Sequence, residues 1–321
     1  MIEFLLLLTG MAGLWMGSEV LMRGAMALSD RFRASDALFG MLVLAIGTDL
    51  PELFVAVDAS LRSLAGEDLS GIVIGSAVGS SIGQFGLVFG TAGFIGFQAM
   101  RRRYLPRNAF FLLGSIVALG LVSFDGRISR IEGFGLIAYY AIYLFILISR
   151  RADSPDITQN DNDLRWGKAW LLLSLGLVVL WASARLTVAS AVDFAALVGL
   201  SNLAVSAVII GMGSSLPEVS VSFMALLKGR GGLSVGNLVG SNVLDTLLVP
   251  GLAAVISPLV VPGSVLYIDL PFLFLITAIV LVALYVSRRG IRALEATILL
   301  SLYLVYALLR LSDPALAHSL G

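Results

Sequence analysis

The stretch "GTDLPELFVAVDAS" at 47–60 sets Asp49 and Glu52 around Pro51 inside a run that is otherwise apolar. A second stretch, "GSSLPEVSVSFMAL" at 213–226, repeats the skeleton with Pro217 followed by Glu218. A carboxylate beside a helix-breaking proline is costly in hydrocarbon, and here the arrangement occurs twice. What the rest of the chain is made of decides whether these stretches lie in a membrane.

Of the 321 residues, 58% are hydrophobic and 13% charged. The mean hydropathy is +0.97. A soluble domain of this length needs more polar surface to cover its core. Apolar runs of about twenty residues recur, the length that crosses roughly 30 Å of hydrocarbon. They are continuous, where a barrel would alternate in short strands, so the chain reads as an all-α membrane protein. Cysteine is absent, which excludes disulfides and thiolate chemistry, and the single histidine, His318 in the C-terminal tail, argues against a histidine-based zinc or triad site. A net charge of zero gives no sign of nucleic acid. The N-terminal run lacks a positive leader region and reads as the first span, not as a signal peptide.

Ten spans are expected, at about 2–28, 37–62, 69–97, 108–124, 130–149, 166–192, 200–227, 233–256, 268–287 and 291–311. The polar segment "RRADSPDITQNDNDLR" at 150–165 reads as a linker between halves 1–149 and 166–321. With both termini outside, sixteen of the twenty-one Lys and Arg fall at cytoplasmic ends and loops, the linker among them. The exceptions are Arg62, Arg127, Arg130, Arg185 and Arg310.

The halves repeat. "GTDLPE" at 47–52 matches "GSSLPE" at 213–218, and "GSAVGSSIGQ" at 75–84 matches "GNLVGSNVLD" at 236–245. Five spans per half is an odd number, so the two repeats are expected to be inverted in the bilayer, an arrangement common among secondary transporters.

Asp49, Glu52, Glu218 and Asp245 all fall inside predicted spans without Lys or Arg nearby in sequence. Each proline also frees a carbonyl one turn earlier, near Gly47 and near Gly213. Dehydrated cations would compensate both the charge and the freed carbonyls. Helical spacing puts Thr48, Asp49 and Glu52 on one face, and Ser214, Ser215 and Glu218 on its counterpart. Ser80 with Gln84, and Ser241 with Asp245, are again four apart. Glycines 71, 75, 79, 83, 236 and 240 are expected to let these helices approach closely. Every candidate ligand is an oxygen donor, a set suited to hard cations such as Ca²⁺, Na⁺ or, less easily, Mg²⁺.

These motifs resemble the two alpha-repeats of the calcium/cation antiporter family, the sodium/calcium exchangers, in both halves and in matching order. The resemblance implies ten helices and alternating access, with Na⁺ entering as Ca²⁺ leaves. It implies no cofactor; the transported ions are Ca²⁺ and Na⁺, with H⁺ as the alternative coupling ion. The metal-binding residues it implies are Thr48, Glu52, Ser80, Gln84, Ser214, Ser215, Glu218, Ser241 and Asp245, to which the carboxylate of Asp49 is added on its own chemistry. The first and sixth helices, with tracts "MRGAMALS" and "ASARLTVASA", would be the sliding gate. The expected partners are inorganic cations and the lipid bilayer, in a plasma (inner) membrane, and a monomer would suffice. The first repeat departs from the family pattern. Asp49 stands where exchangers usually have Ser, Gln84 replaces the common Asn or Asp, and Ser81 stands opposite Asn242.

Plainer readings stand beside these. The Pro–Glu motifs could be structural kinks, Asp245 a protonated structural acid, and Asp49 a protonated spectator. Gln84 could hydrogen-bond across helices without touching an ion. Asp58 reads as a vestibule residue, Arg185 as snorkelling to the interface, and Arg101–Arg103 as a topology signal. An intramembrane aspartyl protease would need a G-x-G-D motif, which is absent. A passive channel would not couple two ions.

Overall fold

The computed structural model describes residues 2–32, 34–67, 69–95, 105–149, 164–197, 213, 215–286 and 291–311. The linker core, Arg101–Arg103, Ser214 and His318 lie outside the described residues. The described chain is almost entirely helical, as continuous apolar runs require once no water can satisfy the backbone.

Helix α1 is Ile2–Arg31. Next come α2, Asp36–Thr48, and α3, Leu50–Leu64, which meet at a bend of 44°. Helix α4, Ser70–Phe89, runs on through Gly90–Ile95. Helices α5, Leu105–Val122, and α6, Arg130–Ser149, complete the first half. The second half holds α7, Trp166–Leu197, and α8, Leu216–Leu227. It continues with α9, Gly231–Ile256, α10, Val265–Val286, and α11, Ala293–Leu311. Among the described residues seven helices are long and apolar enough to cross a bilayer, and the bent α2–α3 pair makes an eighth span. Two shorter apolar helices, Arg107–Val122 and Leu216–Leu227, fall within the other two expected spans. Residues 201–212 of the seventh expected span lie outside the described residues.

The two leading helices of the halves, α1 and α7, pack on each other antiparallel. Gly10 lies against Thr187, Gly17 against Leu180, and Gly24 against Ala169 and Leu173. A Cβ on Gly24 would stand 2.6 Å from both Ala169 O and Leu173 N, so only glycine permits this approach. Sequence-equivalent helices that run in opposite directions are what inverted repeats produce.

Contacts between loops agree with this path. At one end of the bundle, Arg31 Nη1 donates to Leu164 O at 3.1 Å. At the same end, Arg230 bridges Asp30 and Asp36. At the other end, β1, Arg127–Ile128, pairs antiparallel with β2, Leu259–Val260. Arg130 Nη2 donates to Ile256 O at 3.0 Å beside this pairing. Arg310, an exception to the charge rule, forms a 3.3 Å ion pair with the fully buried Asp269. Arg185 points out of the bundle, as expected of a snorkelling residue, and Asp58 is exposed.

The centre is built from α2, α4, α8 and α9. Helix α9 is buried along almost all of Gly231–Val243, and Gly236 and Gly240 seat it on α2. A Cβ at Gly240 would come within 2.8 Å of Met41 Cα and 2.6 Å of Ala45 Cβ. The expected close approach therefore holds for the second repeat. For Gly75 no described atom lies within 4 Å of an added Cβ.

Candidate cation site

Pro51 sits in the first turn of α3 and Pro217 in the first turn of α8. Proline is tolerated there because first-turn N–H groups have no intrahelical acceptor. The residue two places before each proline adopts the same backbone: Asp49 has φ −83° and ψ −2°, and Ser215 has φ −85° and ψ 1°. The repeat is thus conserved within the molecule down to the dihedral angles at its break. The expectation of one continuous helical face for Thr48, Asp49 and Glu52 needs correction, since α2 ends at Thr48 and α3 begins at Leu50. The three stay close because Asp49 N still bonds Ala45 O at 3.0 Å and Leu53 N bonds Asp49 O at 3.1 Å.

A second repeat feature lies in the glycine-rich helices. Ser70–Gly83 passes into a π-helical segment at Gln84–Phe89, and Gly231–Val243 into one at Leu244–Leu248. Such single-turn widenings are frequent at functional sites. Gln84 and its sequence equivalent Asp245 both stand at the mouth of these segments.

These elements carry a set of buried oxygen donors, some of which meet one another. Thr48, Asp49, Ser80, Gln84, Glu218, Ser241 and Asp245 are fully buried, and Glu52 and Ser215 nearly so. Carboxylate oxygens of Asp49, Glu52 and Glu218 lie within 4.8 Å of one another. Oxygens bound to one Ca²⁺ at 2.3–2.6 Å can stand no more than about 5 Å apart, so one ion could touch all three. Asp245 is not one of this trio; its Oδ2 accepts from Ser80 Oγ at 2.9 Å. It remains close enough to act electrostatically on Asp49.

Among the described residues, no side-chain or backbone donor is placed on either oxygen of Asp49 or on Asp245 Oδ1, and the hydroxyls of Ser215 and Ser241 have no partner; Glu218 has only Thr48 and Asp49 beside its carboxylate. Nor does any Lys or Arg among the described residues pair with Asp49, Glu218 or Asp245. Buried charge is ordinarily paired, so this donor set fits a positively charged occupant. Thr48 Oγ1 donates to Leu44 O at 3.0 Å, which leaves its lone pairs available as an acceptor. Gln84 Oε1 is engaged across helices, accepting from Asn242 Nδ2 at 3.0 Å. Ser214 lies outside the described residues.

Three participants escaped the sequence reading. Asn237 donates from Nδ2 to Ser222 Oγ at 3.0 Å and to Glu218 O at 3.4 Å. Its Oδ1 lies 3.5 Å from Thr48 Oγ1, so it connects the two proline motifs. Asn242 holds Gln84. Tyr140 of α6 is buried and lies near enough to Asp49 and Asp245 to feel their charge. Asn237 precedes Ser241 by four and Asp245 by eight, a helical register that could have found it. Nothing in the sequence near Tyr140 marks it.

Comparison with known proteins supports the same reading. The profile of the family described as "Sodium/calcium exchanger protein" matches residues 2–149 and 168–312. A putative antiporter, CaxA of Alkalimonas amylolytica, is 29% identical over 98% of this chain and 100% of its own length. The inner membrane protein YrbG of Escherichia coli (strain K12) is 30% identical over 79% of each chain. Among solved structures, the sodium-calcium exchanger NCX_Mj soaked with 2.5 mM Na⁺ and 0.1 mM Ca²⁺ superposes with a TM-score of 0.80 at 25% identity. That match covers 95% of this chain and 97% of the other. With both halves matched by the profile, and proline motifs that agree in backbone angle, the chain belongs to the sodium/calcium exchanger family, whose members are membrane transporters and not enzymes.

Proposed function

We propose that this protein is a secondary active antiporter that moves Ca²⁺ against Na⁺ by alternating access at the buried carboxylate site. The observation that carries the reading is the Asp49–Glu52–Glu218 trio, drawn from both proline motifs within 4.8 Å. Glu52 and Glu218 are the central ligands, with Asp49, Thr48, Ser80, Ser214, Ser215, Ser241 and Asp245 completing the site. The repeats 1–149 and 166–321 face it from opposite sides of the membrane, joined by the cytoplasmic linker 150–165, and both termini lie outside. A plasma or inner membrane, with the chain acting as a monomer, suits this reading.

A second reading has its own support. Asp49 adds a fourth carboxylate where the second repeat has Ser215, and one Ca²⁺ neutralises only two of four negative charges. Protons could supply the remainder, which makes the exchanger a Ca²⁺/H⁺ antiporter.

Proteoliposomes loaded with ⁴⁵Ca separate the two. Release driven by an external Na⁺ gradient, and not by a pH gradient, is the expected result; the reverse establishes H⁺ coupling. Glu52→Gln and Glu218→Gln should each lower exchange at least a hundredfold while the protein still inserts and purifies as a folded species. Exchange retained in both variants would remove the site assignment.

A further inference from the structure

The two amides at the meeting of α4, α8 and α9 have an orientation fixed by the backbone. Asn242 Nδ2 donates to Leu238 O at 2.8 Å, one turn back in its own helix. A backbone carbonyl can only accept, so the atom facing it is the NH₂ and not the carbonyl oxygen of the Asn242 side chain. The same Nδ2 reaches Gln84 at 3.0 Å, so the Gln84 atom it meets must be the acceptor Oε1. The consequence falls on Gln84 Nε2, which is turned away from Asn242, fully buried, and without any hydrogen-bond partner among the described residues. The segment Gln84–Phe89 packs against α8, the helix of Glu218, and Asn242 belongs to α9, the helix of Asp245. Ser80, one turn before Gln84, already contacts Asp245.

We propose that Asn242 is a positioning residue that turns the Gln84 carboxamide so that its N–H groups, not its carbonyl, face the carboxylate site. This inference rests on the reading of that site as a cation site. A cation cannot be ligated by an N–H donor, so this end of the pocket takes a hydrogen-bond acceptor, a water molecule, in place of an ion. The positive end of the amide dipole also competes with cations for the nearby carboxylates. Cation ligation is thereby confined to the end holding Asp49, Glu52 and Glu218, and Gln84 lowers the affinity of the site and does not contribute to it. The sequence reading of Gln84 as an oxygen ligand is replaced by one in which it is a specificity-determining donor.

The test is Ca²⁺ binding by calorimetry to the purified full chain in nanodiscs, at constant pH and without competing Na⁺. Gln84→Met removes the amide at nearly constant volume and should tighten the Ca²⁺ Kd about threefold or more. Weakening, or a change of less than twofold, overturns the proposal, since loss of a true ligand would weaken binding. Gln84→Ala, which leaves room for water, should shift the Kd in the same direction and covers the case in which the Met variant fails to fold. Asn242→Asp replaces the donor by an acceptor, which forces the Gln84 amide to reverse and present its carbonyl. That substitution should tighten Ca²⁺ binding at least tenfold with Gln84 present and much less in a Gln84→Met background. An equal effect in the two backgrounds reduces it to added charge and rejects the positioning role. If the unsubstituted chain binds no Ca²⁺, the proposed function itself falls, an outcome distinct from a wrong sign in the variants.

Discussion

Asn237 shows how the two half-sites are held together at the level of one side chain. It is fully buried, and its carboxamide reaches Thr48 of the first proline motif and the Glu218 turn of the second. The equivalent residue of the first repeat is Ser76, which donates to Val73 O in its own helix at 3.1 Å and is only half-buried. The pseudo-symmetry is therefore broken at this position: the α9 side chain joins the two motifs where its α4 equivalent does not. Asn237→Ala leaves Ser222 Oγ without its buried donor, at a cost of about 1–3 kcal/mol. We expect a lower thermal midpoint in detergent and a weaker gain in midpoint on adding Ca²⁺ than the unsubstituted chain shows. An unchanged Ca²⁺-dependent gain would mean that Asn237 supports the fold and leaves the site geometry untouched.

At the level of elements, the turn between α8 and α9 ties the site to its surroundings. Gly229 takes a φ of +69°, which closes α8 in a tight turn and sets Lys228 and Arg230 on its two sides. Lys228 Nζ pairs with Glu19 of α1 at 2.8 Å. Arg230 meets Asp36 of α2 with two bonds of 2.6 Å and Asp30 of α1 with one of 2.8 Å. The side chain of Arg230 is 7% exposed, so its removal strands two poorly solvated carboxylates. Arg230→Met should therefore destabilise the protein by about 3–5 kcal/mol, the range for breaking a buried pair from one side. Arg230→Lys should recover part of this but not all, because an ammonium cannot form the planar fork to Asp36. The packing of α9 on α2 makes a separate prediction. Gly240→Leu must displace the backbone at Met41, and the overpacking should cost about 1–3 kcal/mol or more in thermal stability. Exposed Gly167 on α7, with no described neighbour within 4 Å of an added Cβ, should accept Ala without loss.

For the whole molecule the decisive relation is between the two ends of the bundle. The contact of Arg31 with Leu164 gathers the ends of α1 and the start of α7 on one side. The pairing of β1 with β2 gathers the α5–α6 and α9–α10 connections on the other. The absence of cysteine makes the path directly measurable, since a single introduced thiol is the only reporter. Asp125→Cys and Arg165→Cys, both at exposed positions, should be labelled by a membrane-impermeant maleimide from opposite faces of sealed vesicles. Labelling of both from the same face would contradict the inverted arrangement.

Much of this was legible in the chain because each signal is local and repeated. Continuous apolar runs can only be helices where water is absent, and a proline with a carboxylate must break its helix wherever the chain folds. The duplication of "LPE" and of the glycine-rich segment needed no structure to be seen, and it carries the candidate carboxylates with it. What only the tertiary structure decided is which groups face one another across helices. Sequence spacing put Gln84 among the ligands, but the partner that determines which end of its amide faces the pocket, Asn242, lies 158 residues away. Likewise Asp245 takes its hydrogen bond from a serine of the other repeat, and Tyr140, close enough to feel the charges of Asp49 and Asp245, comes from a helix with no marking motif. Hydrogen-bond direction and charge proximity between distant segments depend on packing, and packing is not written in the spacing of any one helix.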